Sequence, residues 1–316
     1  MSDLTQDPGS GQGRDRTDDL VQPFVIERPD LRGRYIRFGA MINDLLTRHA
    51  YPDPVAALLG ETVALACLLS STLKFDGIFT LQARGDGPVS LLVADVTSEG
   101  NVRGYARFDG DRLPEGSDAS HRSVPDLLGE GHLVFTVDTG SEHDRYQGIV
   151  ALTGSSLAEC FRHYFLQSEQ IDVGLKLAVG REGDGGPWRA CGLLLQRLPS
   201  QQSIERGVDH DEDWRRAMIL MGSATDAELL DPALMPNTML FRLFHEEGVR
   251  VFDPAAYQAQ CRCSRDRVAR TLATFPADQI ESLKEDDDHI KVVCEFCNTA
   301  YIFQDADLAA LHHDTA

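Results

Sequence analysis

Cys261-Arg262-Cys263, then thirty residues, then Cys294-Glu295-Phe296-Cys297: these two short runs hold four of the chain's seven cysteines. Thiols in tight pairs suit one of two chemistries, a tetrahedral metal site or a pair of local disulfides. A CxxC turn can aim both sulfurs at one ion, at about 2.3 Å for a Zn–S bond. In the CxC pair, alternate residues of an extended segment point to one side. Chance clustering is the weaker explanation, because cytosolic cysteines are ordinarily dispersed and buried. The spacing alone fits a permanent zinc clip as well as a regulated thiol centre.

The chain around these pairs predicts a small metal-stapled unit. Arg262, Arg265, Arg267 and Arg270 surround the first pair, and positive charge favours thiolate. SRDRVARTLATF predicts a helix up to Pro276, and a second helix is expected from Ala277 to Lys284. Glu285–Asp288 reads as an acidic turn, and HIKVVCEFCNTAYIF as a hairpin with the CxxC at its tip. So few apolar residues leave little core, so a metal staple is expected. His289 is the only histidine inside the span and reads as a bystander.

Upstream, residues 200–255 read as a helical connector. Asp213 onward (WRRAMILMGSA) is helical, Thr225-Asp226-Ala227-Glu228 is a capping box, and Pro232 and Pro236 bracket a loop. NTMLFRLFHEEG forms the next helix and ends at Gly248. Met218, Met221, Met235 and Met239, four of the six methionines, suggest adaptable apolar surface or ordinary core filling.

Residues 22–199 predict a mixed α and β domain. IRFGAMINDLLTR (37–49) has helical spacing. A second helix starts at Asp53-Pro54, with Asp53 as N-cap, and buries one face through Val55, Leu58, Leu59, Val63, Ala66 and Leu69. Short strands follow at 78–84, 89–96, 102–108, 133–138 and 146–153, separated by turn signals that favour antiparallel pairing. Ser156-x-x-Glu159 caps a helix, and strands are expected at 173–180 and 188–198. Cys67 reads as a buried, inert thiol, and Cys160 and Cys191 as core or half-buried residues.

Composition narrows the function. The chain has 316 residues, 42% hydrophobic, enough for one sizeable domain and a smaller one. Its formal charge of −20 argues against nucleic acid and anionic membranes. No apolar run is expected to reach the ~18 residues that span a bilayer. Residues 1–21 read as a disordered tail without the apolar stretch of a signal peptide, and the odd cysteine count points to a reducing cytoplasm. Phosphate-binding glycine motifs, GxSxG and HExxH are absent; His245-Glu246 only begins the last of these. No catalytic site emerges, so the chain reads as a binding protein rather than an enzyme.

The residues resemble the heat-shock protein 33 family, the redox-regulated 33 kDa chaperonins of bacteria. CxC–x30–CxxC carries the likeness most specifically, supported by LLSSTLKFDG, LQARGDGPVSLLV, RGYA, RYQGIVAL, SLAECFRHYFLQSEQ and GLLLQRLP. It covers about residues 22–304. The resemblance implies an α+β protein: a largely antiparallel sheet domain with helices (22–199), a metastable helical linker (200–255) and a zinc-binding redox-switch domain (256–304), with a C-terminal tail at 305–316. It implies a cytoplasmic, ATP-independent holding chaperone of the stress response. Cys261, Cys263, Cys294 and Cys297 would bind one Zn2+ per chain in the inactive, reduced form. Oxidation would give the disulfides Cys261–Cys263 and Cys294–Cys297, release zinc and expose apolar surface to unfolded client proteins. A homodimer of the oxidised form belongs to the same expectation. Two other classes compete: a thiol–disulfide oxidoreductase using the CxxC, which lacks a surrounding thioredoxin-like βαβ unit, and a constitutive zinc-ribbon binding protein, whose nucleic-acid-binding form the charge disfavours.

Overall fold

A computed structural model gives the architecture and describes residues 18–27, 30–113, 123–140, 145–197, 210–284, 289–304 and 307. Outside these lie residues 1–17 of the expected tail, residues 198–209, the acidic turn 285–288 and all of the expected C-terminal tail but Asp307. The chain opens with β1 (Leu20–Ile26), β2 (Leu31–Phe38), α1 (Ala40–Thr47) and α2 (Asp53–Ser70). Next come β3 (Ile78–Gly85), β4 (Val89–Thr97), β5 (Asn101–Phe108), α3 (Val124–Leu128), β6 (Gly131–Asp138), β7 (Arg145–Ala151) and α4 (Leu157–Tyr164). After β8 (Val173–Arg181) and β9 (Trp188–Arg197) come three helices, α5 (His210–Ser223), α6 (Asp226–Leu230) and α7 (Pro236–Phe244). The carboxyl-terminal part holds β10 (Val249–Val251), β11 (Ala255–Ala256), β12 (Gln258–Ala259), α8 (Arg265–Leu272), α9 (Ala277–Ser282), β13 (His289–Val293) and β14 (Ala300–Gln304).

Helix α2 is the centre of the α+β core. The sequence suggests one buried face; instead every residue from Val55 to Ser70 except Ala57 and Glu61 is buried. The reason is a sheet on each side. By length and composition α2 could cross a membrane, contrary to the expectation that no run is long enough, and its apolar surface faces protein. Asp53 is the first helical residue rather than the N-cap, and its carboxylate accepts from Arg181 at 2.8 Å. The helix expected over 37–49 begins only at Ala40, because Arg37 and Phe38 complete β2.

One sheet runs β10-β1-β2-β9-β8, all antiparallel, with β11 also on β1. Both of its faces are covered. Ile36, Phe38, Trp188, Ala190 and Leu194 point to α2, while Leu31, Tyr35, Cys191, Leu193 and Leu195 point the other way. On that second face lie α5, α6 and α7, through Ala217, Met221, Leu229, Met239, Leu240 and Phe244. Met221 and Met239 are therefore core filling, whereas Met235 is exposed. Two-sided burial explains why β9 (WRACGLLLQR) is apolar almost without alternation.

The other sheet runs β12-β5-β4-β3-β6-β7. Its strands alternate: Leu81, Leu92, Val102, Ala106, Leu133 and Phe135 face the core, and the intervening residues face outward. β12 joins β5 in parallel, the one parallel pairing among the described strands, and delivers the chain to the cysteines.

Candidate metal centre

The four paired cysteines meet at one point. Cys261 and Cys263 lie in the extended arm between β12 and α8, and Ser264 caps α8 by accepting from the Arg267 N–H at 3.2 Å. Cys294 and Cys297 form the tip of the β13–β14 hairpin. That tip closes through Cys294 N–H to the Thr299 carbonyl at 3.0 Å and Asn298 N–H to the Cys294 carbonyl at 2.9 Å. Asn298 takes a φ of 57°, a left-handed conformation that asparagine tolerates better than most residues.

All four sulfurs lie within 4.8 Å of one another. Cys261 Sγ is 3.7 Å from Cys294 Sγ, and Cys263 Sγ is 3.3 Å from Cys297 Sγ. Four sulfurs around one zinc at about 2.3 Å would stand about 3.8 Å apart, so the set has the size and the donor chemistry of a tetrahedral thiolate site. His289 is not among the grouped side chains and lies at the opposite end of β13 from Cys294.

Crowding divides the thiols. Burial opposes ionisation at Cys297, but the Thr299 hydroxyl and N–H and the neighbouring thiols outweigh it and bring this thiol down to about 6. Burial pushes Cys263 up to about 12, with the adjoining thiols acting in the same direction, although the Tyr301 hydroxyl donates to its sulfur at 3.0 Å. Thiolate is the form that binds metal or attacks an oxidant, and the Thr299 contacts favour it at Cys297. Thr299 and Tyr301 did not stand out in the sequence; their signal is the alternate spacing just after the CxxC.

Three of the arginines around the first pair make defined hydrogen bonds. Arg267 donates to the Arg262 carbonyl at 2.8 Å, and Arg265 donates to the Ile302 carbonyl and to Asp307. These bonds tie the cysteine arm to its own helix and to β14. Arg262 reaches outside the segment to Asp95 of β4 at 2.7 Å. The segment's own apolar core is small: Leu272, Ile280, Ile290 and Phe303. Cys67 and Cys191 are buried far from these groups in the main core, their thiols held high by desolvation.

Comparison with known proteins places this geometry in context. The family described as Hsp33 protein matches residues 19–304. A protein of Caulobacter vibrioides named 33 kDa chaperonin is 42% identical over 304 residues, covering 95% of this chain and 98% of that protein. A 33 kDa chaperonin of Pseudomonas fluorescens is 40% identical over 294 residues, covering 93% of each. The crystal structure of the 33 kDa chaperonin of Thermotoga maritima superimposes with a TM-score of 0.79 at 25% identity, covering 94% of this chain and 98% of that one.

Proposed function

The chain belongs to the Hsp33 family of chaperones, and from that premise we propose that it is a redox-controlled holding chaperone that works without nucleotide. The observation that carries this reading is the set of four sulfurs at tetrahedral spacing, supplied by two arms with little core between them.

In the reduced chain Cys261, Cys263, Cys294 and Cys297 hold one Zn2+ as thiolates. Bound zinc supplies a crosslink between the cysteine arm and the hairpin. Oxidation by a peroxide joins Cys261 to Cys263 and Cys294 to Cys297. Each new S–S bond takes two electrons from its pair of thiolates, and with two protons drawn from water these reduce one molecule of hydrogen peroxide to two of water. Neither disulfide bridges the thirty residues between the pairs. Each closes a tiny loop and returns little loop-closure stabilisation. The donor set is lost, and the small core of residues 256–304 no longer holds the segment together.

The connector follows. Its short helices are marginal alone and depend on the sheet beneath them. Their departure bares Phe24, Tyr35, Leu193 and Leu195, and this surface with the connector itself binds unfolded client proteins. In this reading residues 22–199 form the chaperone domain, 200–255 the metastable linker and 256–304 the redox switch. The protein binds rather than catalyses, works in the cytoplasm, forms a homodimer when oxidised, and uses neither nucleic acid nor membrane.

Zinc content measured before and after peroxide, beside a light-scattering assay of client aggregation without nucleotide, tests the proposal. One zinc per reduced chain, its loss on oxidation and a matching gain of holding activity are expected. Full zinc occupancy in Cys294→Ser, or an absolute need for ATP, would overturn it. Insulin reduction by the reduced chain would point to the oxidoreductase reading instead.

A further inference from the structure

The redox hairpin meets the main core through its tip, and the surface it meets has the make-up of a recognition groove. β5 turns Arg103, Tyr105 and Arg107 outward, while Val102, Gly104 and Ala106 face the core. The Arg103 guanidinium lies 3.8 Å from the centre of the Phe296 ring, and the Tyr105 ring lies 6.2 Å from it. Arg107 pairs with Glu295 at 3.4 Å. Asn298 donates to the Arg48 carbonyl at 3.4 Å, and the His49 ring nitrogen stands 3.4 Å from the Phe296 carbonyl. Past Tyr105 the surface opens into a cleft of about 400 Å³, walled by His49, Tyr51, Phe108 and Arg107.

Two features set this contact apart from ordinary packing. It is light: Phe296 is half-buried, and the Arg107 and Glu295 side chains are 57% and 61% exposed. It is also complementary in charge and shape, a cationic, aromatic surface on a chain of net charge −20, filled by a carboxylate beside an aromatic ring. The clasp that holds it is the Arg262–Asp95 ion pair, with Asp95 only 6% exposed and shared with Arg103 at 2.6 Å. Arg262 lies between two of the clustered cysteines, so any unfolding of the thiol segment withdraws the clasp and the loop together.

We propose that this groove is a client subsite that the reduced chain plugs with its own Glu295-Phe296. Its ligand class is an extended polypeptide segment carrying an aromatic side chain next to a carboxylate. The aromatic takes the place of Phe296 against Arg103 and Tyr105, and the carboxylate that of Glu295 against Arg107. The inference rests on the redox-chaperone reading, since it is oxidation that empties the groove.

The probe is a fluorescein-labelled peptide of residues 291–300 carrying Cys294→Ser and Cys297→Ser, titrated by anisotropy against the full chain. The oxidised chain should bind it about tenfold more tightly than the reduced, zinc-loaded chain, the scale of one cation–π contact with one ion pair. Phe296→Ala in the full chain should let the reduced, zinc-loaded form bind without oxidation. Arg107→Glu, an exposed change the fold tolerates, should weaken binding to the oxidised chain, and Glu295→Lys in the peptide should restore it. Equal affinity in both redox states, or indifference to Arg107→Glu, would overturn the groove. Zinc release and aggregation suppression are read on the same samples. An oxidised chain that loses zinc and holds clients but ignores the peptide refutes the subsite alone; one that does neither refutes the chaperone reading.

Discussion

Helix α2 and the thiol segment show two ways of holding a fold together. Around α2, two sheets bury almost every side chain, and the stabilisation is spread over many contacts that no single chemical event removes. Among the described residues of 261–304, Leu272, Ile280, Ile290 and Phe303 form one small buried apolar cluster, and four sulfurs meet at one point. Stability concentrated in a few thiolates can be withdrawn by one reaction. Under the proposed redox control, the difference suits a core that persists while its attachment is switched.

The largest effect should come from the metal. A chelator, or Cys294→Ser, should abolish hydrogen-exchange protection across residues 261–304 and leave α2, β8 and β9 protected, because structural zinc supplies roughly 10–16 kcal/mol of folding free energy in small zinc units. Uniform loss of protection across the chain would erase the contrast. The reciprocal test is Leu65→Ala in the middle of α2, where the side chain is fully buried. It should cost about 2–5 kcal/mol of core stability and leave zinc affinity unchanged. A parallel fall in zinc affinity would mean that the two regions fold as one.

How far the sequence revealed this contrast depended on the range of the contacts. Strands β3 to β9 were legible because turn signals and apolar runs are local. So was the hairpin placing Cys294 and Cys297 at its tip. The start of the chain was not: β1 contains Pro23, β2 carries Arg32, Arg34 and Arg37, and 37–49 reads as a helix. What makes β2 a central strand is its partners, β1 and β9, the latter more than 150 residues away. The burial of α2 on all sides was hidden for the same reason, since helical spacing cannot show that a second sheet arrives later. Near the sulfurs, the grouping of cysteines was visible, but the Arg262–Asp95 clasp was not, because it spans 167 residues.

The connector lies between the two extremes and is held partly by one buried charge. Arg37 is 0% exposed, and its guanidinium donates to Asp18 and to the carbonyls of Pro232 and Leu234 in the loop between α6 and α7. Arg37→Met keeps the bulk and removes these donors. The loss should be about 1.5–3 kcal/mol, the range for hydrogen bonds to a charged group. It should appear as faster exchange over residues 210–247 in the reduced, zinc-loaded protein, with zinc retained. Unchanged exchange there would mean that apolar packing alone fixes the connector.

The smallest effect tests whether the connector's own helices matter. Thr225 and Glu228 form a reciprocal cap at the start of α6: the Thr225 hydroxyl accepts from the Glu228 N–H at 3.2 Å, and Glu228 accepts from the Thr225 N–H at 3.0 Å. Glu228 also accepts from Arg242 of α7 at 2.8 Å, so one carboxylate joins the two helices. The Thr225 backbone N–H, then its hydroxyl and Arg242, hold this carboxyl below its usual range. A carboxyl depressed on folding contributes stability above its unfolded value, and that contribution fades as pH falls through the folded one. Acidification below the ordinary carboxylate range should therefore loosen the connector in the direction of Thr225→Ala. That substitution should cost about 1 kcal/mol, raising the open population of the connector about fivefold. At a fixed peroxide dose, Thr225→Ala should reach full holding activity at a slightly lower temperature, while zinc release keeps the wild-type rate. If zinc release accelerates as well, the connector stabilises the thiol segment, and the two ends of the switch are coupled more tightly than their separate cores suggest.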